Sequence, residues 1–544
     1  MSEPPSQKSA SQEFASQEFA SQEFASQESA SQESAPESQE PVFALLADPA
    51  THGGAEVKRI DTHAASVFLA GTHALKVKRA VRFPFLDYST IDKRKHACEA
   101  ELEVNRTFAP DIYRRVLPIT RGPDGRLALG GDGTPVEWAV EMRRFDENAT
   151  LDRLADAGKI DAELAEALGR TVAAAHARMT AVEPEDWINA IADYIEEHVA
   201  AFGDAPDVFP LAAFDMLALR SRQEYAHIRP ILLERGRRGF IRHIHGDLHL
   251  GNIVLLDGRP VLFDAIEFSP LIASGDLFYD LAFLLMDLTE RGLEGAANIV
   301  LNRYLIETGR PEDIDALAML PLFLSMRAAI RAKVMAARLK QPATEPRAAV
   351  AKSAHQYFDF ACRFISPAPP MLLAVGGLSG TGKSVLARAL APELAPAPGA
   401  VVLRSDVERK LMLGNSESDP LPAEAYAPDV TSRVYATIAD KARRAVAAGH
   451  SAIVDAVFAR PQERTVMAQS AQALGVPFHG LFLVADLDIR LARAGGRSRD
   501  ASDADAAVAR SQEGYDLGAL DWAQIDASGT PEDTLARAKA LLSE

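Results

Sequence analysis

The spacing of hydrophobic and polar residues changes character along the chain, and each change marks a boundary. Up to about Glu40 a five-residue unit, Ser-Gln-Glu-Phe-Ala drifting to Ser-Gln-Glu-Ser-Ala, repeats with a period too short for a solenoid. One Phe per unit, later lost, cannot bury enough surface to offset chain entropy, so residues 1–40 are expected to form a disordered tail. From Ser66 to about Phe145, short β-like runs (Val67-Phe68-Leu69, Ala74 to Val77, Val136 to Val140) surround one helix. That helix follows Ser89-Thr90-Ile91-Asp92, and its apolar stripe runs through Ala97/Cys98, Leu102, Val104 and Phe108/Ala109. After Thr150 the pattern turns helical and Ala/Leu-rich, interrupted by a loop–strand stretch from His243 to Phe268. Ser366-Pro367-Ala368-Pro369-Pro370 reads as a stiff linker, because successive prolines lack amide donors. Beyond it lie short apolar strands at Met371–Val375, Val401–Leu403, Ala452–Val454 and Leu481–Val484. The pattern predicts an α+β body at 41–365, with a small lobe (about 41–145) and a helical lobe (about 146–365), then an α/β domain with a parallel sheet at 371–544.

Composition narrows the class. With 544 residues, 47% hydrophobic and 25% charged, the chain is too long for one core and ordinary for a globular protein. A net charge of −18 argues against a dominant nucleic-acid or anionic-membrane footprint, although a local basic groove is compatible with it. Two cysteines, Cys98 and Cys362, cannot build a disulfide framework, so a reducing compartment is expected. The most apolar run, Leu281–Met286, stops at Asp287, far short of the roughly 20 residues a spanning helix needs. The N-terminus also lacks a basic and apolar leader. A cytoplasmic protein is the expectation, and the oligomeric state stays open.

The first chemistry-bearing constellation is His245-Gly246-Asp247-Leu248-His249-Leu250-Gly251-Asn252, followed by the apolar run Ile253–Leu256. An Asp257-Gly258-Arg259-Pro260 turn leads to Val261-Leu262-Phe263 and Asp264, a hairpin that brings Asn252 and Asp264 to one edge. Phosphoryl transfer from Mg-ATP needs such parts: a carboxylate for the attacking hydroxyl, and two hard oxygen ligands for magnesium. The segment resembles the catalytic loop of the protein-kinase-like superfamily, and more narrowly that of aminoglycoside phosphotransferases and choline kinases. The resemblance implies Asp247 as catalytic base and Asn252 and Asp264 as magnesium ligands. His245 is expected to hold the loop, and Asp276 and Asp280 to cap a helix or brace the loop.

A donor phosphate also needs a cation. Ala74, Lys76 and Lys78 share one face of a β-like run, with Leu75 and Val77 on the other. Lys76 is the first choice and Lys78 the alternative. Glu101 falls inside the apolar stripe of the following helix, where a carboxylate needs a cationic partner, and one of these lysines supplies it. The pairing matches the lysine–glutamate ion pair of the resembled family. Glu141-Met142-Arg143, between the lobes, is expected to supply backbone hydrogen bonds to adenine, with Met142 at its centre. The family's Gly-rich loop is missing, its place taken by Asp61-Thr62-His63-Ala64-Ala65-Ser66.

The second constellation is Gly377-Leu378-Ser379-Gly380-Thr381-Gly382-Lys383-Ser384, set between a strand and a helix. This is the Walker A pattern: Gly377, Ser379, Gly380, Thr381 and Gly382 wrap a phosphate, Lys383 reaches it, and Ser384 binds magnesium. The next strand ends in Arg404-Ser405-Asp406, with Arg409 a turn beyond, and the third in Asp455. Strand C-termini line the ligand crevice of a parallel sheet, so Asp406 and Arg409 are placed to meet an acceptor hydroxyl and its anionic neighbour, and Asp455 to support magnesium. Arg490, Arg493, Arg497 and Arg499 are candidates for a lid, the last two foremost. This half resembles small kinases of the polynucleotide-kinase and zeta-toxin type.

The whole chain beyond the tail thus resembles a fusion of an aminoglycoside-phosphotransferase-like domain, of two-lobed protein-kinase-like fold, with a P-loop kinase-like domain. The resemblance implies an ATP- and Mg2+-dependent phosphotransferase with two sites and a small-molecule hydroxyl acceptor. Two alternatives stay open: a nucleotide-dependent switch or scaffold without phosphotransfer, and a 5′-hydroxyl polynucleotide kinase activity in the C-terminal domain.

Overall fold

The computed structural model describes residues 38–83, 86–339, 346–495 and 501–542. The pentapeptide repeats, and with them the expected tail up to residue 37, lie outside the described residues, as do Arg497 and Arg499. Contacts divide the chain into two compact units. The first runs to Arg291 and resumes over Leu322–Ile365; the second takes Gly292–Pro321 and everything from Ser366 onward.

The first unit opens with α1 (Glu40–Ala47) and a six-stranded antiparallel sheet. Its strands are β1 (Val57–Asp61), β2 (Ala65–Ala70), β3 (His73–Lys78), β4 (Tyr113–Arg121), β5 (Leu127–Leu129) and β6 (Thr134–Arg143), in the order β1-β2-β3-β6-β4-β5. Strand alternation sorts the side chains between two covers. Phe68, Leu75 and Val77 meet Phe43 and Leu46 of α1 on one face. Val67, Leu69 and Ala74 share the other with Cys98 of α2 (Ile91–Phe108), which Thr90 caps by accepting the Lys93 amide. Lys76 and Lys78 therefore lie on the α2 side.

The helical lobe holds β7 (Ile241–His243), the hairpin β8 (Ile253–Leu256) and β9 (Arg259–Leu262), β10 (Ser274–Asp276) and α3 (Leu277–Glu290) among longer helices. Both turn residues of the hairpin, Asp257 and Gly258, take positive φ (51° and 78°), which suits the right-handed twist of a two-residue connection. α3 is apolar nearly all round and buried along almost its whole length, the pattern of a central helix.

The second unit is a five-stranded parallel sheet. Its elements, after α4 (Glu294–Thr308), are β11 (Leu372–Gly377), α5 (Lys383–Leu390), β12 (Val401–Arg404), α6 (Ser405–Met412), α7 (Pro428–Ala447), β13 (Ala452–Asp455), α8 (Pro461–Leu474), β14 (Phe478–Val484), α9 (Leu487–Gly495), α10 (Ala506–Ser511), β15 (Ala523–Asp526) and α11 (Pro531–Leu542). The strand order is β12-β13-β11-β14-β15.

The unit division differs from the one drawn at the proline linker. Residues 292–321 were expected in the first body but pack with the second, because α4 covers its sheet edge. Asn298 and Asn302 donate to the Ala400 carbonyl at 3.0 and 3.1 Å, and Asn302 accepts the Val402 amide at 2.7 Å. These side chains satisfy edge-strand groups that would otherwise be open to another chain. Arg303–Glu417 (2.6 Å) and Arg444–Asp315 (2.5 Å) add ion pairs to the same seam. Among the described residues, no helix is long and apolar enough to cross a membrane.

Candidate active sites

In the first unit, α3 braces the loop that carries Asp247. The Asp280 carboxylate accepts the amides of His245 (3.1 Å) and Gly246 (3.0 Å) and faces His176 Nε2 (3.2 Å); Asp287 accepts the Leu250 amide at 2.9 Å. Asp276 caps α3 through the Phe278 amide and pairs with Arg235 at 2.7 Å. His245 is buried, with Nε2 2.9 Å from the Phe263 carbonyl and its ring edge-on to Phe108. It holds the loop, as expected. On this base, Asn252 Nδ2 donates to the Asp247 carbonyl (2.9 Å) and to Oδ2 (3.0 Å), fixing the carboxylate at the end of the loop.

The hairpin then presents Asp264 beside Asn252, with the Phe263 amide donating to the Asn252 carbonyl at 2.9 Å. Asp264 adopts φ +61°, a left-handed conformation uncommon for aspartate and typical of functional sites. Its amide donates to Tyr113 Oη (3.2 Å), and its Oδ1 receives Lys76 Nζ at 2.7 Å.

The choice between the two lysines resolves into a division of labour. Glu101 bridges both: Oε1 lies 2.9 Å from Lys76 Nζ, and Oε2 lies 2.7 Å from Lys78 Nζ. Lys78 is closed off on its other side by Glu267 at 2.5 Å, which also accepts from Tyr88 Oη at 3.1 Å. Lys76 alone of the pair reaches Asp264. Burial works against its charge, but the carboxylates of Asp264 and Glu101 outweigh burial and hold its pKa above that of an ordinary lysine. For Glu101, burial is likewise outweighed, by Lys76 and Lys78, and its pKa falls.

The backbone of Met142 lies inside the sheet, in register with Ala74 of β3 and Tyr113 of β4, and its side chain joins the cluster of Val67, Ala74 and Phe263. The next two amides, of Arg143 and Arg144, already donate to the Ile112 and Thr72 carbonyls (2.7 and 3.0 Å). The Asp61–Ser66 loop is tied on itself, with Thr62 Oγ1 bonded to both the amide and the carbonyl of Ala65.

Asn252 Oδ1 is buried without a hydrogen-bond partner, and it and the Asp264 carboxylate are the hard oxygens of this loop and hairpin that would hold a magnesium ion.

In the second unit, the glycine loop joins β11 to α5. Gly380 (φ +86°) passes so close to α9 that a Cβ there would sit 2.4 Å from the Arg490 carbonyl oxygen. Ser379 is gripped on both sides: its amide donates to Gln512 Oε1 (2.6 Å), and its carbonyl accepts Arg490 Nε (2.9 Å). Arg490 also donates to the Ala509 carbonyl (3.1 Å) and pairs with Glu513. Arg493 donates to the carbonyls of Ala527 and Gly529, both at 2.7 Å. Two of the four lid candidates are thus engaged in holding the loop and the strand ends.

Ser384 Oγ donates to Asp455 Oδ2 at 2.5 Å, and Arg404 reaches both, at 3.2 Å from Ser384 Oγ and 3.4 Å from Asp455. The hydroxyl and carboxylate form a second hard-oxygen pair suited to magnesium. Lys383 Nζ donates to the Leu378 carbonyl at 3.3 Å, over the loop.

Asp406 is the second residue of α6, whose N-cap is Arg404, and its side chain is hydrogen-bonded to Ser502. Burial and then the neighbouring charge of Asp455 hold its pKa above the ordinary aspartate value. Arg409 Nη1 donates to the Ala425 carbonyl (2.8 Å) and to Thr431 Oγ1 (3.2 Å). These groups line a cavity of about 1590 Å³ together with Ser379 to Ser384 and Asp455.

Glu267, Asn105, Arg404, Asp503 and Gln512 were not singled out from the sequence. Asn105 ties α2 to the Asp264 segment through both backbone groups of Ala265 (2.8 and 3.2 Å). Glu267 alone carried a sign, an acid inside the apolar stretch from Ala265 to Phe268.

Residues 87–320 match the Phosphotransferase enzyme family, and residues 372–515 match an AAA domain. Uncharacterized proteins of Mycobacterium tuberculosis and Mycobacterium bovis are each 30% identical over 493 residues, spanning 88% of this chain and 94% of theirs. The chain belongs to their family. In it a phosphotransferase domain is fused to a P-loop kinase-like domain. Among solved structures, the family member resembles a choline/ethanolamine kinase family protein of Mesorhizobium loti (15% identity, 59% of this chain, 94% of that one, TM-score 0.37). It also resembles a gluconokinase of Sinorhizobium meliloti (20% identity, 32% of this chain, 92% of that one, TM-score 0.24). Membership makes the chain kinase-like in both halves and supports phosphotransfer as its general activity.

Proposed function

We propose that the protein is a cytoplasmic, magnesium-dependent kinase with two ATP sites, each moving the γ-phosphate to a hydroxyl of a small molecule. One observation carries the reading. Each unit holds a lysine and hard oxygens of the kind a metal-bound donor needs: Lys76 paired with Asp264, and the Ser384–Asp455 pair, with Ser384 directly after Lys383 in the chain. Magnesium bound at such pairs supplies charge neutralisation on the phosphates. In the first unit, Asp247 is held by Asn252 to accept the proton of the acceptor hydroxyl as its oxygen bonds to phosphorus and the bond to the β-phosphate breaks. Lys76, anchored by Glu101, stabilises charge on the donor. In the second unit, Asp406 takes the proton, Lys383 holds the donor, and Arg409 meets an anionic part of the acceptor.

Asp247→Ala and Lys383→Ala, made separately and together, test the reading by ADP release against a panel of hydroxyl compounds. Each single variant should lose the turnover of one set of acceptors, and the double variant should be silent. Nucleotide binding with no transfer by the wild type would favour a switch instead.

A further inference from the structure

Resting on the reading that the second unit phosphorylates a hydroxyl, we propose the class of its acceptor. It is a compound with an aromatic or alicyclic ring and one anionic group, the ring lying against Tyr426 and the anion against Arg409.

The sheet sets the geography. β11 delivers the glycine loop at the centre, β12 stands two strands to one side and β15 two strands to the other. At ordinary strand spacing that is about 10 Å each way. The cavity reaches in both directions, toward Pro531 and Leu535 after β15 and toward Asp406, Leu421 and Tyr426 beyond β12. Donor phosphates are fixed between these ends, at the N-terminus of α5. Asp406 marks the β12 end as the acceptor's, which leaves the β15 end to the donor's base.

The acceptor end is partly apolar and rigidly built. Tyr426 is 40% exposed, yet its hydroxyl donates to Asp503 Oδ2 at 2.6 Å. The same carboxylate takes Lys410 Nζ at 3.0 Å and the Leu421 amide at 3.1 Å, so one residue fixes Tyr426 and Leu421 as a wall. A large apolar side chain held open to a cavity is a contact waiting for apolar surface. Arg409 stands 4.7 Å from the Tyr426 ring centroid, is only 5% exposed, and keeps its Nε buried without a hydrogen-bond partner. A buried charged donor left unpaired is destabilising, and an anionic ligand oxygen relieves it. An open-chain polyol would leave the Tyr426 wall in water. A neutral ring would leave Arg409 Nε unmet. A ring that bears a carboxylate or phosphate satisfies both.

The test uses the full chain carrying Asp247→Ala, so that only the second unit reports. The probes are adenosine 5′-monophosphate and shikimate (ring and anion), gluconate (anion without ring), inositol (ring without anion) and glycerol. Binding is measured by calorimetry with the donor site filled by a non-hydrolysable ATP analogue, and phosphate transfer is measured with ATP. The expected result is tight binding of one or both ring-bearing anions, weakened about tenfold by Tyr426→Ala, as loss of a stacking surface should give. Asp503→Asn should raise KM several-fold with kcat within twofold, because it only loosens the wall; circular dichroism and binding of the ATP analogue report that each variant is folded. The proposal is overturned if gluconate, inositol or glycerol binds as tightly as the ring-bearing anions. Failure of every probe to bind, or indifference of binding to Tyr426→Ala, overturns it too. If ring-bearing anions bind through Tyr426 but no phosphate moves, the acceptor class stands and the phosphotransfer reading falls.

Discussion

Lys76 Nζ sits 2.7 Å from Asp264 Oδ1, two residues separated by 188 positions in sequence and joined across the lobes of the first unit. Lys78, two residues on, is buried between Glu101 and Glu267 and makes no such link. The two lysines should therefore fail differently. Both changes to Met strand buried carboxylates and should lower stability, by about 3–5 kcal/mol for Lys78→Met. In a Lys383→Ala background, Lys76→Met should in addition cut the turnover of the folded fraction at the first site by about a hundredfold, on the scale of losing a preorganised charge at a transferring group, whereas Lys78→Met should not. Denaturant titration beside steady-state kinetics separates the two.

The glycine loop has a steric requirement at Gly380. A methyl group there would meet the Arg490 backbone at 2.4 Å, and backbone cannot step aside as a side chain can. Gly380→Ala should weaken ATP binding at the second site by at least tenfold and lower the melting temperature of that unit. Gly295→Ala, in the helix Glu294–Thr308 where a Cβ meets nothing within 4 Å, is the control and should leave ATP binding unchanged without lowering the melting temperature.

A buried histidine gives the second unit an acid limit. Burial pushes the His450 pKa down to about 4, against 6.5 for the free side chain, while the ring keeps a 2.7 Å bond to the Gly399 carbonyl. The folded state thus binds this proton less readily than the unfolded state. Stability is unaffected above pH ~6.5 and falls as pH drops toward 4, by up to about 3 kcal/mol from this group. His450→Gln, which can still donate to Gly399, should flatten that part of the stability profile measured by urea unfolding between pH 4 and 7.

The helix at Glu294–Thr308 covers the edge of the second sheet. A fragment beginning at Ser366 should therefore be less stable and more prone to associate than one in which residues 292–321 are restored through a flexible link. Light scattering and melting curves of the two fragments check this. Asn302→Leu in the full chain should reproduce part of the loss, since it leaves the Val402 amide without its 2.7 Å acceptor.

What could be read from the amino-acid order was whatever is local. The Asp257-Gly258 turn fixes a hairpin, the strand period puts Lys76 and Lys78 on one face, and the strand–glycine–helix order fixes the phosphate loop, because each depends on neighbours within a few residues. Partners were not legible. Glu101 sat visibly on a buried face, but periodicity names a face and not a companion, so its sharing between two lysines needed coordinates. Glu267, Asp503 and Gln512 act on groups between 77 and 189 positions away, where only the folded backbone sets the meeting. The run of apolar residues around Met142 likewise did not reveal that β6 continues to Arg143, whose amide is taken by the Ile112 carbonyl.

The path of the polypeptide leaves one more mark. The strip Gly292–Pro321 emerges from the ribosome more than 70 residues ahead of Ala400 and Val402, whose backbone it must eventually clasp. During vectorial synthesis it has to wait, apolar face uncovered, while the remainder of the first unit passes it. The yield of correctly assembled second unit is therefore expected to depend on how fast residues 322–400 are translated.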